Sequence, residues 1–293
     1  MTIIAVLLAF ALCHFIRELS RVRKHEWLTG WVGRADELFS KIPAWEDLTG
    51  FILILFIPLL ALGLINQLVY TAFGNLGLFL LAIAVLVYTF GPRDLDTQVA
   101  DIIRSPDEES QDEALAGLLR AQVPDDMEAC RAKTVDAVFS EALHRWFGVI
   151  FWFAVLGILG AFMYRMVDWL ACEKSTLTAA QKNLFLRARR VLDWPAAQLM
   201  TLSLAVATDF DSVFVAWKRF HDEQGHGLFE GDNGFLLASA RQIVLSGHAA
   251  QDGYADQLGG SLVTLKQSMD LVWRVLGVWM TVLALLLLID VIT

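Results

Sequence analysis

The sequence is poor in charge and in cysteine, and each shortage excludes a class of protein. Only 19% of its 293 residues are charged, whereas about 25% is typical of soluble domains. The three cysteines, Cys13, Cys130 and Cys172, lie far apart, so we expect neither a disulfide framework nor a cysteine metal site. The formal net charge is −9, whereas a nucleic-acid-binding protein requires an excess of basic residues, so this class is excluded.

Long apolar runs stand where charge is missing, and the mean hydropathy is +0.53. Phe51–Phe90 contains no charged residue at all. At 1.5 Å per residue, a helix of that length would be about twice the hydrocarbon thickness of a bilayer. We therefore predict two membrane helices, with a turn marked by Tyr70, Gly74 and Asn75. The other apolar runs are Met1–Ile16, Trp146–Met163, Leu271–Ile289 and a weaker run at Leu199–Phe214, which Asp209 and Asp211 interrupt.

The positions of the 23 Lys and Arg residues predict the topology. Met1–Ile16 is followed rather than preceded by basic residues, which is typical of an anchor and not of a signal peptide. If both termini and Tyr70–Asn75 face the periplasm, every Lys and Arg lies on or beside the cytoplasmic side. Pro92–Ala142 and Glu173–Arg190 are then cytoplasmic.

This arrangement has four full spans and two further apolar segments. The loop between Trp146–Met163 and Leu199–Phe214 is basic, so these segments are predicted to be buried or re-entrant helices that return to the cytoplasmic side. A six-span arrangement with that loop outside stays open. The four predicted spans are Met1–Ile16, Phe51–Val69, Thr71–Phe90 and Leu271–Ile289.

The predicted fold class is an all-α integral membrane protein with about four transmembrane helices, buried or re-entrant helices and a cytoplasmic helical region. Five segments follow along the chain. They are an N-terminal anchor with a basic cytoplasmic segment (1–50), a transmembrane hairpin (51–90), an acidic cytoplasmic helical region (91–145), a core with membrane-embedded helices (146–270) and a C-terminal transmembrane helix (271–293).

Four stretches along the chain form recognisable motifs. Phe151–Arg165 has the pattern F-W-x-x-x-x-G-x-x-G-A-x-x-Y-R, and Phe90–Leu95 is F-G-P-R-D-L. Leu192–Leu199 begins with L-D-W, and Asp232-Asn233-Gly234 precedes an apolar run. Together, in this order, the four stretches resemble the AmpE proteins, a family of bacterial inner-membrane proteins. The resemblance runs over nearly the whole chain, including the order of the spans.

The resemblance implies a multi-pass protein of the bacterial inner membrane. AmpE proteins are associated with β-lactamase induction and peptidoglycan-recycling signals, so the implied function is a non-catalytic modulator or sensor. The related CbiB/CobD proteins are membrane synthases that form an amide bond in cobalamin biosynthesis, and this is the alternative. Gln198 replaces an arginine of the shared L-D-W segment, and no Gly-Asp-Pro region follows Ile16, which favours AmpE.

Arg165 and Asp168 are the leading candidate site residues. They are three residues apart, so on a helix they share a face and can pair. A structural ion pair and a ligand site both stay open. The resemblance implies a ligand site at the cytoplasmic membrane boundary, formed by Tyr164, Arg165, Asp168, Asp232, Asn233 and Gly234. In addition, Arg187, Arg189 and Arg190 are predicted to contact anionic lipid head groups.

The sequence predicts no metal and no cofactor. His221 and His226 are five residues apart, whereas a zinc helix places its two histidines four apart. No phosphate-loop glycine pattern occurs either. The expected partners are the lipid bilayer and either a cell-wall-derived small molecule or a cytoplasmic protein.

Overall fold

The computed structural model describes residues 2–15, 26–42, 45, 47–90, 95–172, 177–224, 233–249 and 260–292. Every regular element in these ranges is helical, which confirms the predicted all-α class. The helices are α1 (Thr2–Phe15), α2 (Glu26–Phe39), α3 (Leu48–Thr89), α4 (Leu95–Ile103), α5 (Glu108–Leu119), α6 (Met127–Ala142), a π-helical turn (Leu143–Phe147), α7 (Gly148–Cys172), α8 (Ala179–Ala207), α9 (Phe210–Gln224), α10 (Gly234–Ala249) and α11 (Gly260–Ile292).

Three helical stretches among the described residues are long and apolar enough to cross a membrane: Leu48–Thr89, Met127–Cys172 and Ser261–Leu286. The first contains both spans of the predicted hairpin, and the third overlaps the predicted C-terminal span. The α1 helix has 14 residues, fewer than the roughly 17 that a full span requires. Met1–Ile16 therefore does not meet the length criterion that the other stretches meet.

The α3 helix contains the predicted turn, at Gly74. This residue has φ of 61° and ψ of −148°, outside the helical region, and the positive φ favours glycine. A Cβ atom added at Gly77 would lie 2.9 Å from Cγ1 of Val69. Residues eight apart in a straight helix are separated by about 12 Å. The two arms of α3 therefore fold back on one another.

The α7 helix has the same break at Gly157, where φ is 65° and ψ is −149°. A Cβ atom at Gly160 would overlap the carbonyl oxygen of Trp152, again eight residues earlier. The lack of a side chain at Gly160 therefore permits the two arms of α7 to pack closely. Gly157 has a different role, since it supplies the left-handed backbone on which the chain reverses.

The chain divides into two compact units that interleave in sequence, the first comprising Met1–Pro92 and His144–Asp193. In this unit α1, α2 and α7 pack on α3. The core is formed by Leu28, Val32, Ala35, Trp45, Ile54, Leu55, Met166, Val167, Leu170, Ala171 and Phe185. Hydrogen bonds tie sequence-distant parts together: the Trp31 indole donates to the Ile54 carbonyl at 3.1 Å, and the Gln181 amide donates to the Trp45 carbonyl at 2.8 Å.

The second unit comprises Arg93–Leu143 and Trp194–Thr293. Here α6 and α9 pack on α10, and α11 packs on α6 and α4. Arg241 of α10 forms a two-bond ion pair with Asp136 of α6, at 2.5 and 2.7 Å. Three helices of this unit have an aspartate as N-cap, whose carboxylate accepts a hydrogen bond from the backbone N–H three residues later. These aspartates are Asp107, Asp126 and Asp209.

The predicted apolar segment Leu199–Phe214 is not a single helix. The α8 helix ends at Ala207, and α9 begins at Phe210. The carboxylate of Asp209 accepts from the backbone N–H of Ser212 at 3.0 Å. That bond satisfies an N–H group at the start of α9 that has no partner within the helix, and it fixes the break.

Candidate functional site

Six polar side chains meet in the first unit and form what we call the polar cluster. Tyr164, Arg165 and Asp168 come from the second arm of α7, His144 from the π-helical turn, and Arg189 and Asp193 from α8. Tyr164, Arg165, Asp168 and Asp193 expose 0%, 4%, 8% and 2% of their surfaces. Burying charges at this depth is costly unless they are paired and hydrogen-bonded.

Arg165 is the most fully bonded member of the cluster. Its Nη1 donates to Oδ2 of Asp168 at 2.9 Å, which confirms the predicted pair. Its Nε donates to the carbonyl of Thr89 at the end of α3. Its Nη2 lies 3.4 Å from the carbonyls of both His144 and Arg145. The guanidinium thus joins the end of α3, the π-helical turn and α7.

Asp168 is only half satisfied. Oδ2 accepts from Arg165, but the buried Oδ1 has no hydrogen-bond partner among the described residues. Nη1 of Arg189 lies 3.7 Å from Oδ1, too far for a hydrogen bond, and donates instead to Sγ of Cys172 at 2.7 Å. Burial lowers the pKa of Arg189, but the nearby Cys172 and Asp168 raise it more, so the net direction is upward. Arg189 therefore stays charged beside Oδ1.

Asp193 is satisfied on both oxygens. The Tyr164 hydroxyl donates to Oδ1 at 2.6 Å, and Nε2 of His144 lies 3.1 Å from Oδ2. The carboxylate can only accept, so Nε2 carries the proton. A Cβ atom at Gly148 would overlap the ring of Tyr164. The absence of a side chain at Gly148 thus gives Tyr164 the space to reach Asp193.

The charges of the polar cluster balance when His144 is neutral. Two guanidinium groups face two carboxylates, and Tyr164 and His144 act as donors to Asp193. In the described part of the chain, Oδ1 of Asp168 is the one buried side-chain oxygen or nitrogen of the cluster without a hydrogen-bond partner. A hydroxyl, amine or amide N–H there would complete it, and Arg189 lies beside that position to receive an acidic group.

The described members of the predicted site belong to two different units. Tyr164, Arg165 and Asp168 come together in the first unit, whereas Asn233 and Gly234 belong to the second. Asp232 lies outside the described residues. The predicted contact between these two groups stays a prediction.

The three arginines proposed for lipid contact also differ from one another. Arg187 and Arg190 are exposed on α8, whereas Arg189 lies against Asp168 and Cys172. Lipid contact at these arginines stays a prediction, and Arg189 has in addition a place in the polar cluster.

Sequence reasoning missed two members of the cluster, His144 and Asp193. They are 49 residues apart, so no local spacing could pair them. Asp193 belongs to the L-D-W segment that supports the resemblance, but no role of its own was predicted for it. Its buried position could have been suspected from the apolar residues around it, but its partners could not.

No group of three or more His, Cys, Asp or Glu side chains is placed to hold a metal in the described part of the chain. Nδ1 of His221 lies 2.8 Å from the carbonyl of Trp217, one turn earlier in α9. Since the carbonyl can only accept, Nδ1 carries the proton. His226 lies outside the described residues.

The chain was compared with known proteins at three levels. No protein-family model, no curated protein and no solved structure matches it.

Proposed function

We propose that the chain is a multi-pass protein of the bacterial inner membrane. Three helical stretches have the length and apolarity for crossing a membrane, and two of them reverse at Gly74 and Gly157. The reversal at Gly157 supports the re-entrant arrangement expected for Trp146–Met163. Irregular backbone at membrane depth is tolerated where protein covers it. The distribution of Lys and Arg supports periplasmic termini and a cytoplasmic basic loop.

Within that membrane the proposed role is AmpE-like: a non-catalytic modulator or sensor that bears on β-lactamase induction and peptidoglycan-recycling signals. The observation that carries this role is the unsatisfied Oδ1 of Asp168 in an otherwise balanced buried cluster. Ionisable groups inside apolar helical segments are costly and are usually functional. Resemblance to AmpE at Tyr164-Arg165 supports the same position.

The proposed ligand is a small molecule with N–H or O–H donors and an acidic group. Its donor would satisfy Oδ1 of Asp168, and its acidic group would face Arg189. Cell-wall fragments carry amide, hydroxyl and carboxylate groups together, so they suit this chemistry. Catalysis is not needed to explain the cluster, because Tyr164 and His144 are already committed to Asp193.

Replacing Asp168 by asparagine tests the proposed role. Asp168→Asn keeps the shape and an acceptor but removes the charge, so the protein should accumulate and stay folded. It should, however, fail to restore β-lactamase induction in a strain that lacks the gene. Asp211→Asn removes the same charge at an exposed position and should restore induction like the wild type. Full induction by Asp168→Asn would contradict the proposal.

Single-cysteine labelling tests the proposed topology. In a background without native cysteines, a cysteine at Asn75 should react with an impermeant periplasmic reagent. A cysteine at Arg187 should react only after the membrane is made permeable. Periplasmic labelling at Arg187 would contradict the four-span arrangement and favour six spans.

A further inference from the structure

The first unit contains an open groove of about 480 Å³ between α2 and α3. Ligand pockets commonly enclose about 300–1,000 Å³. Phe162 of α7 also lines the groove, and its ring stacks on Trp27 with centroids 6.3 Å apart. The remaining lining residues are Gly30, Trp31 and Arg34 of α2, and Ile57, Pro58, Ala61, Leu62 and Ile65 of α3. Nearly the whole wall is apolar.

The lining residues of α2 form one face of the helix, with the spacing i, i+3, i+4, i+7 from Trp27 to Arg34. A different face, formed by Leu28, Val32 and Ala35, is buried in the core. The helix therefore has an apolar face in addition to the one that holds it in place. Trp27 is 43% exposed on that face.

A single cation lies at one end of this face. Arg34 lines the groove and is exposed, and it forms no ion pair with any residue that the structure describes. An apolar groove with the Arg34 cation at its end matches an amphiphile that has a hydrocarbon chain and an anionic head group. We propose that this groove binds one hydrocarbon chain of an anionic phospholipid, with the phosphate against Arg34.

This inference rests on the membrane location proposed above, but not on the AmpE-like role or on the polar cluster. It also differs from lipid contact at Arg187 and Arg190, which are exposed on α8 and do not line the groove. The apolar wall commits the site to a hydrocarbon chain, so a free phosphate compound should not occupy it. A second copy of this chain in the groove would instead make the oligomeric state depend on the groove residues.

The test is retention of defined lipids by the full-length protein purified in detergent and measured by native mass spectrometry. Phosphatidylglycerol and phosphatidylcholine with identical chains are the probes. The wild type should retain phosphatidylglycerol about fivefold better, the effect of one cation near an anionic head group. Glycerol 3-phosphate, which has the charge but no chain, should not compete. Equal retention of both lipids, or competition by glycerol 3-phosphate, would overturn the proposal.

The chain offers matched controls for the groove wall. A Cβ atom at Gly30 or at Gly33 meets no atom within 4 Å, but only Gly30 lines the groove. Gly30→Leu should lower retention of both lipids about tenfold, the change expected when two methylene groups lose their burial. Gly33→Leu should behave like the wild type. If Gly30→Leu does not fold, Ala61→Leu fills the groove from α3 and should give the same loss.

A second matched pair of variants tests the role of the Arg34 cation. Arg34→Gln should abolish the preference for phosphatidylglycerol and leave retention of phosphatidylcholine unchanged. Lys41→Gln removes the same charge at an exposed position outside the groove and should keep the preference. Equal effects of these two variants, or of Gly30→Leu and Gly33→Leu, would overturn the site. A change of oligomeric state in Gly30→Leu without a change in lipid retention would assign the groove to a second copy and also overturn it. If the purified protein stays in solution without detergent, the proposed membrane location itself is wrong.

Discussion

Removing Arg165 should destabilise the protein much more than removing its partner Asp168. Arg165→Met deletes donors to the Thr89, His144 and Arg145 carbonyls and leaves Asp168 with only Arg189, at 3.7 Å. A buried carboxylate stripped of its partner costs about 3–5 kcal/mol. Asp168→Leu leaves Arg165 with its three carbonyl acceptors, so its cost should be nearer to about 1–3 kcal/mol.

The double variant Arg165→Met/Asp168→Leu should be more stable than the sum of the two single losses predicts. It contains no orphan carboxylate, so the coupling energy should be about 1–3 kcal/mol. Denaturant unfolding in mixed micelles, followed by the fluorescence of the ten tryptophans, measures all four proteins. Equal costs for the two single variants would refute the asymmetry read from the hydrogen bonds. A coupling energy near zero would refute the buried pair.

Two further predictions concern the backbone of the hairpin and the cap of α9. Gly157→Ala should destabilise the protein by about 1–2 kcal/mol, because the positive φ of this residue strains any Cβ atom. The control is Gly277→Ala in the regular part of α11, which should be neutral or stabilising. Equal unfolding midpoints for the two variants would contradict the reversal at Gly157. Hydrogen bonds from Ser212 lower the pKa of Asp209, so its stabilising effect should be present above the unfolded-state pKa of about 3.9 and lost as pH falls through the lower folded-state value. Unfolding midpoints between pH 6 and pH 2 should therefore fall less steeply in Asp209→Ala, and identical slopes would contradict this cap.

Elements whose causes are local could be predicted from the sequence. The turn of α3 follows from a charge-free run too long for one span, together with Gly74 near its middle. The pair of Arg165 and Asp168 follows from helical spacing alone. In both cases the interacting residues are within one helical element, so the sequence contains the geometry directly.

Contacts between distant parts of the chain could not be predicted in this way. Asp193 receives its donors from Tyr164 and His144, 29 and 49 residues away. Arg165 reaches the Thr89 carbonyl across 76 residues. Periodicity indicates that a helix has a buried face, but it does not say which other helix covers that face. By contrast, the break within Leu199–Phe214 has a local cause, because Asp209 interrupts the apolar run and caps the helix that follows.

The bonding of the cluster changes which residue should meet a ligand. A guanidinium that must hold three backbone carbonyls and one carboxylate has little capacity left, so Arg165 is best understood as a structural link between α3, the π-helical turn and α7. Asp168 differs from Arg165: its Oδ2 accepts from Arg165, whereas its Oδ1 has no hydrogen-bond partner among the described residues. The structure thus contains the ion pair, and a ligand site at the same residues stays a prediction. Arg165 fixes the orientation of the carboxylate, so the proposed ligand would approach Oδ1 of Asp168, beside Arg189.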